Sequence, residues 1–137
     1  MHFAQLNIGR FKGTLIDPWM KDFFVNVDRI NAIAERMPGF IARITESSPW
    51  DNDPYMAVNM SVWKSPEALK KFVWETAHVQ IYSRKAEFFE IIEGPSLVMW
   101  WVNEGELPTL IEGKERLEHL RTFGPDEYAF GWTYLGT

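Results

Sequence analysis

The segment from Val58 to Phe89 constrains the fold most, because a strand in it runs directly into a helix. Its first six residues alternate between apolar and polar or aromatic side chains: Val58, Asn59, Met60, Ser61, Val62 and Trp63. A two-residue period of this kind predicts a β-strand with two different faces. Ser65 then supplies an N-cap oxygen, and Pro66 suits the first helical position. The sequence therefore predicts a strand followed by a helix that carries His78.

The other elements follow from the same patterns, and together they predict an α+β domain. The predicted strands are 2–10, 40–46, 58–63 and 96–103, and the predicted helices begin at Asp17, Ser65 and Pro108. The order β-α-β-β-α-β is that of a ferredoxin-like antiparallel sheet with helices on one face. A C-terminal helix and an aromatic tail complete the prediction, and the tail is expected to form an edge strand or an aromatic cover. No linker divides residues 1–137, so we expect a single domain.

Such a sheet leaves its second face without helices. The strands carry apolar or aromatic side chains on both faces, and these side chains avoid water. We therefore expect two sheets to pack face to face in a homodimer.

Composition excludes several classes of partner and site. The net charge is −5 and no basic run occurs, so nucleic-acid binding is not expected. The sequence has no long apolar stretch and no cysteine, which argues against a membrane span and excludes disulfides and thiol chemistry. We expect a cytoplasmic protein. Aromatic residues make up 15% of the chain, more than a small core needs, so part of them is expected to line a pocket or an interface.

Polar side chains share one parity of the predicted sheet, mixed with two tryptophans. They are Gln5, Asn7, Arg43, Thr45, Asn59 and Ser61, with Trp63 and Trp100. A small-molecule pocket is typically apolar and aromatic with a few convergent polar groups, so we interpret this parity as a binding wall. A solvent-exposed or mutually hydrogen-bonded polar face is the structural alternative.

His78 is the strongest candidate for chemistry. It follows Trp74 by four residues and precedes Tyr82 by four, so the three side chains share one side of a helix. An imidazole at this place suits a general base, a haem ligand or a hydrogen-bond donor to substrate. A histidine that only packs at a helix break or an interface is the alternative. The remaining histidines, His2 and His119, are far apart in sequence, and no metal site is predicted.

Several motifs support a family resemblance along nearly the whole chain. They are His2-x-Ala4-Gln5-Leu6-Asn7-x-x-Arg10, Pro38-Gly39-Phe40, Asn59-x-Ser61-Val62-Trp63, Ala77-His78, Arg84, Trp100-Trp101-Val102, Pro108-Thr109, Glu115-Arg116-Leu117 and Gly124-Pro125. In these the chain resembles the bacterial domain of unknown function 3291 family, which implies a dimeric α/β barrel. More distantly it is similar to the antibiotic-biosynthesis and haem-degrading monooxygenases of that superfamily. The haem-degrading enzymes use a first-strand Asn and a His at the end of the second helix, and Asn7 and His78 match these by position.

The leading hypothesis is a cofactor-independent, monooxygenase-like oxidoreductase acting on an aromatic or polycyclic substrate. His78 and Asn7 are the candidate catalytic residues. The candidate substrate-binding residues are Gln5, Arg43, Asn59, Ser61, Trp63, Trp74, Tyr82 and Trp100. Two alternatives remain open: a haem protein with His78 as axial ligand, and a non-catalytic binder of an apolar metabolite.

Overall fold

The computed structural model describes residues 1–14, 16–75 and 85–136. The strands are β1 (His2–Phe11), β2 (Phe40–Arg43), β3 (Met56–Trp63), β4 (Phe89–Glu90) and β5 (Leu97–Val102). The helices are α1 (Lys21–Arg36), α2 (Pro66–Glu75) and α3 (Leu110–Phe123), with a one-turn helix at Lys85–Phe88 and 3-10 turns at Pro18–Met20 and Trp132–Leu135. The predicted order of strands and helices is confirmed, and the short strand β4 is an addition to it.

The strands form one antiparallel sheet in which β1 is central. Strand β3 pairs with β1 along its whole length and with β2 on its own far side. The opposite edge of β1 is shared, since β5 pairs with residues 2–7 and β4 with Arg10 and Phe11. With β5 taken as the last strand, this is the ferredoxin-like topology that the sequence predicts.

One face of the sheet, which we call the polar face, lies under α1 and α2. Its apolar end is packed against Ile30 and Ala34 of α1 and Leu69 and Phe72 of α2. The strand residues in this cluster include Phe3, Trp63 and Met99, each fully buried. The polar side chains on this face are described below.

The second face, which we call the apolar face, lies under α3. Strand residues Ala4, Leu6, Met60, Val62, Val98 and Trp100 are all 0% exposed there, against Leu110, Leu117 and Leu120 of α3. The expectation that this face is left without a helix is wrong, because the C-terminal helix folds back across it. The homodimer inferred from that expectation stays a prediction.

The end of β1 is closed by a cluster of phenylalanines. Phe11, Phe23 and Phe88 are buried there with Met20, and Phe89 stacks on Phe11 at a ring distance of 5.1 Å. A Cβ atom on Gly9 would lie 2.6 Å from the Phe89 ring, so only glycine permits this packing at position 9. A large share of the aromatic residues is therefore used inside the core.

The second predicted strand is shorter than expected, and the described part of the tail forms no strand. Strand β2 ends at Arg43, three residues before its predicted end. The tail makes only a single bridge, between Phe130 and Met99, and then enters the 3-10 turn. The sequence predicts either an edge strand or an aromatic cover for the tail. The tail is an aromatic cover, because Phe130 is fully buried against Phe3 and Met99.

In the described ranges, no helix is both long enough and apolar enough to cross a lipid bilayer. The cytoplasmic location stays a prediction.

Candidate functional site

Four polar side chains form a ladder across the paired strands β1 and β3 on the polar face. Asn7 lies opposite Asn59, and Gln5 lies opposite Ser61. Directly opposed residues of an antiparallel pair have their side chains on the same face at close range. The alternation read from the sequence therefore brings these four residues together, and we call them the polar ladder.

Gln5 is the centre of the polar ladder. Its Nε2 donates to Ser61 Oγ at 2.8 Å and to Asn59 Oδ1 at 2.9 Å. Its Oε1 accepts from Asn7 Nδ2 at 2.8 Å. Gln5 and Ser61 are each only 4% exposed. A buried amide of this kind is tolerated because its polar atoms are hydrogen-bonded, and those bonds fix the orientation of the neighbouring asparagines.

Trp63 closes the inner end of the polar ladder. Its indole Nε1 donates to Ser61 Oγ at 2.9 Å, so Ser61 accepts two hydrogen bonds. The ring lies between Phe40 and Phe72, at 5.3 and 5.6 Å, and none of its surface is exposed. In this structure Trp63 supports the ladder and offers no face on which a substrate could stack.

The outer end of the polar ladder is open. Asn7 is exposed and Asn59 is half-buried. Among the described residues, Asn7 Oδ1 and Asn59 Nδ2 have no hydrogen-bond partner, because each amide uses only its other group in the ladder. A ligand at this end would therefore meet one free acceptor and one free donor, held by a buried network.

Arg43 lies beside the ladder but is bound to helix α1. It pairs with Ser61 in the sheet register, while its Nη2 donates to the Asn31 carbonyl at 3.2 Å. Its Nε is 3.6 Å from Glu35 Oε1, an ion-pair distance that is too long for a hydrogen bond. The guanidinium thus fixes α1 to the sheet.

Trp100 does not lie with the polar ladder, and its assignment to that parity is wrong. In the register of β5 with β1, Trp100 is opposite Ala4 and Trp101 is opposite Phe3. Trp100 is therefore buried on the apolar face under α3, and Trp101 lies on the polar face, where its ring meets Phe3 edge-on at 5.0 Å. The sequence showed that one of the two adjacent tryptophans lies on the face of the polar ladder. It did not show which one, because the residues of β5 form an uninterrupted apolar run.

Trp74 is on α2 and is 56% exposed, so it presents an aromatic surface to solvent. His78 and Tyr82 lie outside the described residues. Of the predicted catalytic pair, the structure therefore gives the position of Asn7 and not that of His78.

A cavity of about 300 Å³ lies away from the polar ladder, beside the β2–β3 loop. It is lined by Ile44, Thr45, Ser48, Trp50, Asp51, Asp53, Pro54, Met56, Val58 and Leu110. Asp53 in its rim already pairs with Arg10 at 3.2 Å. Within the described ranges no group of three His, Cys, Asp or Glu side chains is arranged to hold a metal ion.

The second polar cluster joins α3 to the tail. His119 Nε2 lies 2.6 Å from Asp126 Oδ2, and the other Asp126 oxygen accepts from the backbone amides of Tyr128 and Ala129. The hydrogen bond to His119 lowers the pKa of Asp126 below its usual value, and the two amides lower it further. This cluster anchors the tail.

The sequence of the chain matches a known protein family over nearly its whole length. The family model described as "Domain of unknown function (DUF3291)" matches residues 2–135. The chain belongs to the DUF3291 family. Among characterised proteins with curated descriptions, no sequence matches this DUF3291 chain.

Solved structures show the same fold as the DUF3291 chain at low identity. A putative antibiotic biosynthesis monooxygenase from Nitrosomonas europaea has a TM-score of 0.56 and 15% identity, over 76% of this chain and 92% of that one. SnoaB, a cofactor-independent oxygenase from Streptomyces nogalater, has 0.53 and 14%, over 75% and 94%. The ActVA-Orf6 monooxygenase of Streptomyces coelicolor, solved with nanaomycin D, has 0.50 and 16%, over 78% and 92%. At these identities the likeness establishes the fold alone.

Proposed function

We propose that the polar ladder is the binding wall of a small-molecule enzyme of the cofactor-independent monooxygenase type, acting on an aromatic or polycyclic substrate. The observation that carries this proposal is the pair of unpartnered groups at the open end, Asn7 Oδ1 and Asn59 Nδ2. They lie at the mouth of a network whose inner members are buried and hydrogen-bonded to one another.

Such an arrangement is suited to stabilising a charge that develops during a reaction. Gln5 holds both asparagines, so their amides are oriented before a ligand arrives. Preorganised donors need no reorientation when an oxyanion forms, which is why they lower the barrier. Asn59 Nδ2, together with the second proton of Asn7 Nδ2, is the donor available for an enolate or peroxide anion, and Asn7 Oδ1 can accept from a substrate hydroxyl.

The proposed reaction takes its electrons from the substrate. His78 removes a proton from an acidic ring methylene, and the resulting enolate reduces O₂ and forms a carbon–oxygen bond. The peroxide then loses its O–O bond as the second proton of that carbon leaves, giving a ketone and one water. In this scheme His78 moves the protons, and Asn7 with Asn59 stabilises the anionic oxygen.

Two of the structural neighbours lend this chemistry support through their names alone. SnoaB is described as a cofactor-independent oxygenase, and the ActVA-Orf6 monooxygenase was solved with nanaomycin D. Both share with this chain the sheet on which the ladder is built. All four ladder residues come from a single chain, so the ladder itself does not need the predicted homodimer.

Oxygen uptake with anthrone as probe tests the proposal. Anthrone is a tricyclic aromatic with an acidic methylene, and mass spectrometry under ¹⁸O₂ would show one labelled oxygen in the anthraquinone product. We expect Asn7→Ala to lower kcat/KM by about 10²–10³ and His78→Ala by about 10²–10⁴. The matched control is Asn52→Ala, on an exposed loop residue. Equal turnover in the Asn7, His78 and Asn52 variants would reject the enzyme proposal.

Binding measurements separate the two alternatives. Haem titration would give a sharp Soret band that His78→Ala abolishes and His2→Ala retains if His78 is an axial ligand. A ligand that co-purifies with the protein, together with no turnover in any variant, would favour the apolar-metabolite carrier.

A further inference from the structure

Helix α3 covers the sheet face that a two-sheet assembly would need. The six strand residues beneath it are 0% exposed, and Leu110, Leu117 and Leu120 are between 2% and 7% exposed. The part of the sheet face beneath α3 has no apolar surface left to give to a second copy, whereas Ile8, Ile44 and Val58 at its margin are only partly buried. Any second sheet would first have to displace α3.

The sequence of α3 is fitted to this sheet at Gly113. A Cβ atom at Gly113 would lie 3.1 Å from Leu6 Cδ2 and 3.4 Å from both Met60 Sδ and Trp100 Cη2. Glycine weakens a helix interior relative to alanine, but here it lets the helix backbone approach the strands. Gly113 is thus a position at which the backbone of α3 lies close to the sheet.

Polar contacts fix the helix along its length. Thr109 Oγ1 caps its start by accepting from the Glu112 amide. The Arg116 guanidinium lies over the Trp100 ring at 5.3 Å and over the Tyr128 ring at 4.2 Å. Near the helix end, Arg121 Nε donates to the Pro95 carbonyl at 2.7 Å. The contacts to Trp100 and Pro95 join α3 to β5 and to the loop before it.

The solved neighbours leave a part of this chain unmatched. The Nitrosomonas europaea protein is matched over 92% of its own length but covers only 76% of this chain, which leaves about 33 residues. Residues 103–136, which contain α3 and the tail, form a segment of comparable size. The unmatched part of the chain is large enough to contain α3 and the tail.

We propose that α3 closes the sheet within one copy of the chain and takes the place that a second sheet occupies in a two-sheet dimer. Over the strand residues beneath α3, the sheet faces of two copies therefore do not meet. This inference is independent of the proposed activity, since the polar ladder lies on the opposite face.

The absence of cysteine from the sequence allows a clean crosslinking test on the full chain. Cysteines are introduced together at Pro95→Cys and Arg121→Cys, which are both exposed and in contact through Arg121 Nε and the Pro95 carbonyl. A short bismaleimide is then added to the dilute protein. We expect a crosslinked product with the mass of one chain, 16.0 kDa. A covalent two-chain product as the main species would overturn the proposal, because α3 would then lie on the sheet of the other copy. Each single-cysteine variant is a control for random collisions.

Sedimentation equilibrium with Gly113→Leu provides a second test. The added side chain meets Leu6 and Trp100 and lifts α3, so the apolar face is uncovered and the average mass is expected to rise from one chain towards two. Gly131→Leu is the matched control, because a Cβ atom there has no neighbour within 4 Å. A Gly113→Leu protein that stays folded with an unchanged mass would contradict the seating of α3.

If Gly113→Leu does not fold, the crosslinking result alone decides. A two-chain mass for the unaltered protein, combined with crosslinks only within single chains, would mean that the copies meet through another surface, and the closure by α3 would stand.

Discussion

The two faces of the sheet differ in how they are held together. On the apolar face, apolar strand and helix side chains pack against one another, and Leu117 of α3 is 2% exposed. On the polar face, an apolar end under α1 and α2 passes into the polar ladder, which opens at Asn7. Both faces arise from alternate residues of the same strands, so the difference lies only in which parity carries polar atoms.

The two faces contribute differently to the stability of the fold and to the specificity of binding. Apolar burial is non-directional and stabilises the fold in proportion to the area removed from water. The hydrogen bonds of Gln5 and Ser61 each contribute a net free energy of about 1 kcal/mol, but they define the positions of the two asparagines. We therefore expect substitutions on the apolar face to act on unfolding, and substitutions at the open end of the ladder to act on ligand binding.

The largest effect is expected on the apolar face. Leu117→Ala should lower the free energy of unfolding by about 2–5 kcal/mol, because it leaves a cavity between α3 and the strands. Ile111→Ala, on the exposed side of the same helix at 53% exposure, should stay within about 0.5 kcal/mol. Urea unfolding followed by tryptophan fluorescence measures both. Similar losses of unfolding free energy in the two variants would mean that α3 does not pack on the sheet through the side that carries Leu117.

A smaller effect is expected from the inner end of the polar ladder. Ser61→Ala removes the acceptor of the Trp63 indole N–H and leaves that buried donor unpaired, at a cost of about 1–3 kcal/mol. Ser61→Thr retains the hydroxyl and tests whether the loss comes from the hydrogen bond. Thr122→Ala, at an exposed position, is the control in the same urea experiment. A Ser61→Ala protein as stable as this control would show that the ladder contributes nothing to the fold.

The smallest effect concerns the junction of α3 with the tail. The pKa of Asp126 is lowered from 3.8 by the hydrogen bond from His119. A carboxyl with a lowered folded pKa contributes stability above the unfolded value and loses it as the pH falls through the folded value. The melting temperature should therefore fall less on acidification below pH 3.8 in Asp126→Asn than in the unaltered protein. Asp28→Asn, on the exposed side of α1, is the control, and equal acid slopes for Asp126→Asn and the unaltered protein would exclude this contribution.

Much of the site on β1 and β3 could be predicted from the sequence. Along these strands the polar positions alternate strictly with apolar ones, so Gln5, Asn7, Asn59 and Ser61 had to share a face. Strand β5 lacks this alternation, because Val98, Met99 and Trp100 are apolar and all are buried. A continuous apolar run gives no parity, and only the hydrogen-bonded register with β1 places Trp100 away from the ladder.

The sequence by itself determined the order of strands and helices, the two-faced character of β1 and β3, and the polar parity that holds the candidate site. These are local properties, because the period of a strand and the caps of a helix depend on residues close together in the chain. The tertiary structure decided that α3 lies on the apolar face, that Trp63 is enclosed, and that Trp101 rather than Trp100 shares the face of the ladder. Those outcomes depend on contacts between residues distant in sequence, such as Gly113 with Leu6, which no local pattern encodes.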